Sequence, residues 1–220
     1  MAQVLTVNVA HPRPNTAEGR AVTGIDKRPV AGPVAVRAPG PMHGGLGSGL
    51  VGDTIGDQQF HGGDDQAVYA YAREDLDNWQ TELEREIANG VFGENLTTAG
   101  VEVTHAVIGE RWRVGSGGLE LEVSRPRIPC RTFANWLQIN GWVKTFTRTA
   151  IPGAYLRLVT PGPVSPGDEI TVASRPDHGI TIGLVFRALT LEPQHLPEIL
   201  RAEALPEPLR ELAERRTKQG

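Results

Sequence analysis

Twenty-six glycines and 17 prolines are scattered over 220 residues, so regular structure is interrupted along the whole chain. Glycine reaches backbone conformations closed to other residues, while proline fixes its own φ and removes a backbone donor. No low-complexity tract absorbs them, so they predict many turns joining short strands. The apolar pattern agrees. Leu5, Val7 and Val9 alternate with Thr6 and Asn8, as on a half-buried strand. Pro33 to Arg37, Arg111 to Val114, Leu119 to Ser124, Tyr155 to Val159 and Ile170 to Ala173 are further candidates. The last follows the turn signal Ser165-Pro166-Gly167-Asp168.

One helix is expected within this series. Leu76, Trp79, Leu83 and Ile87 fall at helical spacing, acidic residues crowd the first turn, and Asn89-Gly90 can end it. After Pro176 the texture changes: Ile182, Val185, Phe186 and Leu189 mark an amphipathic helix, and two shorter patterns follow over Leu196 to Ala204 and Leu209 to Arg216. The expected fold is mostly β within the α+β class. Residues 1–175 form its β-rich domain, and 176–220 form a C-terminal module of three helices.

Charge and cysteine usage narrow the function. A net charge of -4 leaves no basic footprint for nucleic acid or anionic lipid. No apolar run approaches the ~18 residues of a membrane span, and the N-terminus lacks signal-peptide character. A single cysteine, Cys130, excludes an internal disulfide and a CxxC zinc site, and it suits a reducing compartment. These features predict a soluble cytoplasmic protein with neither a nucleic-acid nor a membrane partner.

Two motifs are decoys. Gly47-Ser48-Gly49-Leu50-Val51-Gly52 spells GxGxxG, but Pro41 to Gly45 before it is no strand and Asp53 to Asp57 after it no helix, so it reads as a loop. His61-Gly62-Gly63-Asp64-Asp65 lacks convergent partners for zinc. Its double glycine reads instead as a tight turn that brings backbone N–H groups close to a ligand.

The most informative segment is Ser124-Arg125-Pro126-Arg127-Ile128-Pro129-Cys130-Arg131. It leaves a well-patterned strand, and its two prolines hold the backbone extended. Cys130 therefore sits on a stiff loop among three arginines, and nearby cations favour the thiolate that ligates metals or attacks electrophiles. The arginines suit a phosphate or a carboxylate. An unpaired cysteine can equally be a small buried hydrophobe.

Several blocks in order carry a resemblance. They are Thr23 to Val30, Gly52-Asp53 leading to His61-Gly62-Gly63, and Ala67 to Tyr71 running to Trp79. Phe92-Gly93-Glu94-Asn95-Leu96, Pro126 to Cys130, and Tyr155-Leu156-Arg157 with Pro166-Gly167-Asp168 complete the set. Together they resemble the MOSC domain family, whose name derives from the C-terminal domain of molybdenum cofactor sulfurases, in its YiiM-like stand-alone branch with a C-terminal three-helix module. The resemblance implies a β-barrel that binds the pyranopterin molybdenum cofactor, with Cys130 as the protein ligand to the metal. It also implies that His61, Gly62, Gly63, Glu94 and Asn95 line the cofactor cleft, with Lys27, Arg28 and Arg127 as candidates for holding its phosphate.

A soft thiolate suits a thiophilic metal, and the cofactor's dithiolene supplies the remaining sulfurs, so one cysteine suffices. The leading expectation is an oxidoreductase that reduces small N-hydroxylated bases or amines with electrons from a separate flavin or iron–sulfur protein. A second is a non-catalytic carrier of the cofactor or of sulfur. A third is a cysteine-nucleophile enzyme with His61 as base and Asn95 as orienter.

Overall fold

The computed structural model describes residues 1–15 and 20–218. Its strands are β1 (Gln3–Ala10), β2 (Arg13–Asn15), β3 (Arg20–Thr23), β4 (Lys27–Pro29), β5 (Val34–Val36), β6 (Val68–Ala72), β7 (Leu96–Ala99), β8 (Arg111–Val114), β9 (Leu119–Pro126), β10 (Ala154–Thr160), β11 (Gly162–Val164) and β12 (Ile170–Ser174). Its α-helices are α1 (Arg73–Leu83), α2 (Arg131–Leu137), α3 (Trp142–Thr149), α4 (Ile182–Thr190), α5 (Leu196–Ile199) and α6 (Glu207–Thr217). The short strands joined by glycine and proline turns give the mostly β, α+β fold that the punctuation predicts.

Eight strands form one mixed sheet in the order β12-β8-β9-β10-β6-β7-β1-β4. All its neighbours are antiparallel except β6 and β7, which α1 joins as a parallel crossover. Strand β6 is buried along its whole length. Its alternation sends Val68, Ala70 and Ala72 into the main core, and Tyr69 and Tyr71 into an aromatic cluster on the other face. The main core continues into α4, α5 and α6 through Val185, Ile199 and Ala213.

The sheet does not close into the expected barrel. Near its ends, the start of β1 meets the turn before β12 only through a single bridge, Gln3 to Glu169, and adjacent backbone bonds such as Val4 N–H to the Asp168 carbonyl at 2.8 Å. Beyond Ile170, β12 runs exposed along β8 and pairs with no described residue on its outer side.

Three other expectations change. A bulge between Val4 and Thr6 shifts the phase of β1, so Val4, Val7, Asn8 and Ala10 are buried while Leu5 and Val9 are only half-buried. Helix α1 stops at Glu84, which adopts a left-handed conformation at φ 50°, so Ile87 lies past it. The segment beyond folds back because Gln80 Oε1 accepts from the Ile87 N–H, and Arg73 donates to the Ile87 carbonyl and to Asn89 Oδ1. Helices α2 and α3 interrupt the β series as well as α1. Each is short and buries an aromatic first, Phe133 with Leu137 and Trp142 with Phe146, at i, i+4 spacing.

No helix among the described residues is long and apolar enough to cross a membrane.

Candidate functional site

Strand β9 ends at Pro126, and the extended stretch 127–130 carries the chain to α2, for which Cys130 is the capping residue at φ -128°, ψ 172°. The half-buried Cys130 stands where two lobes of one cleft meet; Asp57, His61, Thr132 and Tyr155 also line both. The inner lobe is a narrow slot of about 80 Å³ and the outer lobe a wider space of about 480 Å³. The outer lobe is on the scale of a small-molecule site.

Backbone builds much of the inner lobe. The stretches 22–25 and 54–56 approach so closely that a Cβ on Gly24 would lie 2.0 Å from the Thr54 carbonyl oxygen, and one on Gly56 2.2 Å from that of Val22. Two cations, Lys27 and Arg127, line the same lobe, and each is 6% exposed. Strand β4 turns Lys27 inward, where its Nζ donates to both Asp53 carboxylate oxygens at 2.6 Å. Asp53 accepts in addition from Ser48 Oγ, Asn95 Nδ2 and the Ala10 N–H at 2.7–2.9 Å. Burial works to raise the Asp53 carboxyl, but the Lys27 charge and these bonds outweigh it and hold the group below the ordinary carboxylate range.

Arg127 lies between rings, with its guanidinium carbon 4.1 Å from the Phe133 ring centre and 5.1 Å from that of Tyr69. It also donates to the Phe92 carbonyl. Gly93, at φ 77°, makes room, since a Cβ there would reach within 2.9 Å of Ile25 and 3.4 Å of Arg127. Phe92 and Phe133 in turn pack edge-on with centroids 5.1 Å apart, and Trp142 and Phe146 pack against both. The aromatic cluster is thus the floor that positions Arg127.

The sequence-predicted residues divide sharply. Cys130, His61, Lys27 and Arg127 converge on the cleft. Gly62 and Gly63 do not line it but fix its rim: both have positive φ, and Cβ atoms there would collide at 2.6 Å with Gly47 and Met42. The His61 and Gly63 N–H groups donate to the Asp57 and Gly47 carbonyls, so that turn uses these donors internally. Arg28 points outward from β4, exposed, and pairs with Asp26 at 3.0 Å. Glu94 is fully buried away from both lobes; its Oε1 accepts from the Gly90 N–H and Thr97 Oγ1, and Oε2 has no partner. Burial raises its carboxyl above the ordinary value.

Asn95 is likewise outside the lobes, holding the Tyr69 N–H, the Asn8 carbonyl and Asp53. With its amide committed to β1 and β6 it cannot orient His61, which removes the geometry a cysteine-nucleophile mechanism needs.

Sequence reasoning missed the roles of Tyr155 and Asp53. Tyr155 lies in a strand whose period-2 pattern looks ordinary, and only pairing with β6 and β9 brings it beside Cys130. Its hydroxyl is pushed above its ordinary value by burial, against the opposing charge of Arg127, and so stays protonated.

The donor set suits a pyranopterin molybdenum cofactor. One thiol stands at a junction, backbone walls one side, and two buried cations line the inner lobe. Among the described residues no three His, Cys, Asp or Glu side chains gather to hold a bare metal ion.

Comparison with known proteins gives the same family. The MOSC domain profile matches residues 57–171. The protein YflK of Bacillus subtilis strain 168 is 32% identical over 199 residues, covering 90% of this chain and 85% of its own. A protein named Reductase from Gibberella moniliformis is 28% identical over 79% of this chain, which spans 29% of that longer protein. The crystal structure of YiiM from Geobacillus stearothermophilus superposes with a TM-score of 0.78 at 28% identity, covering 98% of this chain and 99% of that one.

Proposed function

Since the chain belongs to the MOSC domain family, one associated with molybdenum cofactor binding, we propose that its inner lobe holds that cofactor through Cys130 and that the protein reduces small N-hydroxylated bases or amines. The observation that carries the reading is the position of the only thiol, at the point where a backbone-walled cationic lobe opens into a second, larger one.

Cys130 would ligate the metal, and Lys27 and Arg127 would hold the anionic end of the pterin against the walls 23–25 and 54–56. The bound cofactor supplies the two-electron chemistry that breaks the N–O bond. The balance is R–NH–OH plus two protons and two electrons, giving R–NH2 and water. A separate flavin or iron–sulfur protein is the electron source. The protein's own share is positioning and proton supply. His61 and Tyr155 line both lobes and so stand beside cofactor and substrate at once. A protonated Tyr155 hydroxyl can donate to the departing oxygen.

Protein purified from a molybdate-fed host tests this, by mass spectrometry for molybdenum and pterin and by amidoxime reduction with reduced viologen. Wild type is expected to retain both and turn over. Cys130→Ser is expected to fold normally and to lose the molybdenum, because a hydroxyl is nearly isosteric but a poor ligand for a soft metal. Equal molybdenum in the two proteins overturns the assignment. Full retention without turnover leaves the carrier reading instead.

A further inference from the structure

We propose that the outer lobe recognises a carboxylate on the substrate, with Arg125 and Arg131 as the anion-binding pair and Gln66 beside them. The substrate class builds on the reductase reading above; the binding of the carboxylate does not.

All three side chains line the outer lobe, with Cys130 at its inner edge. Arg125 stands on β9 opposite Tyr155, and its buried Nε donates to nothing. Among the described residues it makes no ion pair. The acid whose charge reaches it, Asp65, is taken by Arg157, whose Nε lies 2.6 Å from Asp65 Oδ1. Arg157 also binds Glu122 at 2.9 Å, so its own position is fixed from two sides. Arg131, the first residue of α2, is exposed and has no ion pair among the described residues. Gln66 is 5% exposed and lines the lobe beside Arg125.

Buried donors in native proteins are nearly always satisfied, so the unanswered Arg125 nitrogen in a residue that lines a cavity points to a ligand that answers it. A planar guanidinium fork matches a carboxylate, with two parallel N–H bonds to its oxygens. The apolar side chains Phe60, 59% exposed, and Ile128, 38% exposed, line the same lobe. They suit a flat apolar body between the carboxylate and the N–OH group. An aryl amidoxime bearing a ring carboxylate has that form.

The test compares benzamidoxime with 4-carboxybenzamidoxime in turnover, and benzamide with 4-carbamoylbenzoate in calorimetry, using cofactor-loaded protein. Wild type is expected to bind 4-carbamoylbenzoate at least about tenfold tighter than benzamide. Arg125→Gln should weaken that binding about ten- to a hundredfold, the range of a charge-assisted bond, and change benzamide binding less than about threefold. Molybdenum and pterin content should stay at the wild-type level. Arg125→Lys, which keeps the charge without the fork, should recover part of the loss.

Equal wild-type affinity for the two ligands overturns the proposal. Loss of molybdenum and pterin in Arg125→Gln does so too, because Arg125 would then hold the cofactor. If Arg125→Gln does not fold, Arg131→Gln on its exposed side chain decides, and unchanged carboxylate affinity there overturns the pair. If neither amidoxime is turned over while arginine-dependent binding of 4-carbamoylbenzoate persists, the reductase reading fails and this one stands.

Discussion

The two lobes share Cys130 and Tyr155 but treat charge in opposite ways. In the inner lobe Lys27 is answered by Asp53, and Arg127 by a carbonyl and two aromatic faces. In the outer lobe neither Arg125 nor Arg131 forms an ion pair with a described residue. Desolvating an ion costs several kcal/mol, so a buried charge is normally compensated within the protein. The inner cations therefore serve fold and site together, while the outer ones serve what enters the cleft.

The largest effect that can break this contrast lies in the inner pair. Asp53→Asn leaves Lys27 buried without its counter-charge, with side-chain exposures of 5% and 0% for Lys27 and Asp53 in the wild type. Loss of a partner from such a pair costs about 3–5 kcal/mol, read as a shift in the urea midpoint of the apoprotein. A loss below about 1 kcal/mol would mean the pair is not integral to the fold. Arg127→Leu comes next. It removes a charged hydrogen bond worth roughly 1.5–3 kcal/mol, so apoprotein stability and cofactor retention should fall together. A normal apoprotein melting temperature with poor retention would make Arg127 a ligand-holding group alone.

Acid titration sharpens the contrast through two carboxyls of opposite shift. Asp53 is depressed, so its contribution is complete above the unfolded carboxylate value of about 3.9 and is lost as pH falls below it. Glu94 is raised by burial, so its ionised form is penalised and the fold gains stability as pH falls from neutral toward about 4.3. Stability is expected to rise slightly on mild acidification and then drop. Glu94→Gln should reduce the rise, leaving the share of Asp75, whose carboxyl burial pushes up to about 6, and keep the drop; an unchanged rise would remove Glu94 from it. The smallest effect is expected at the outer lobe, where Arg131→Gln should change apoprotein stability by no more than about 0.5 kcal/mol, checked by the same urea titration. A larger loss would show that this arginine is part of the scaffold.

Much of this was legible along the chain, because local chemistry encoded it. The alternation Leu119, Leu121, Val123 needs only β geometry to become a buried face, and all three are fully buried. The spacing Ile182, Val185, Phe186, Leu189 needs only helix geometry to become the buried face of α4. Two prolines before Cys130 stiffen it into an extended stretch whatever surrounds it. The ordered blocks also carried the family. The sequence could not separate Lys27 from Arg28, since one step along β4 sends the first to Asp53 and the second to solvent.

The chain alone determined its strand-rich character, its lone thiol and the arginines around it, because these follow from residue type and nearest neighbours. Tertiary structure decided which charges are answered. Asp53 meets Lys27 across 26 residues and Asn95 across 42, while Asp65 meets Arg157 across 92 and so leaves Arg125 unpaired. Such pairings depend on strand order, which brings residues far apart in the chain side by side. No period or motif within a single segment records that choice.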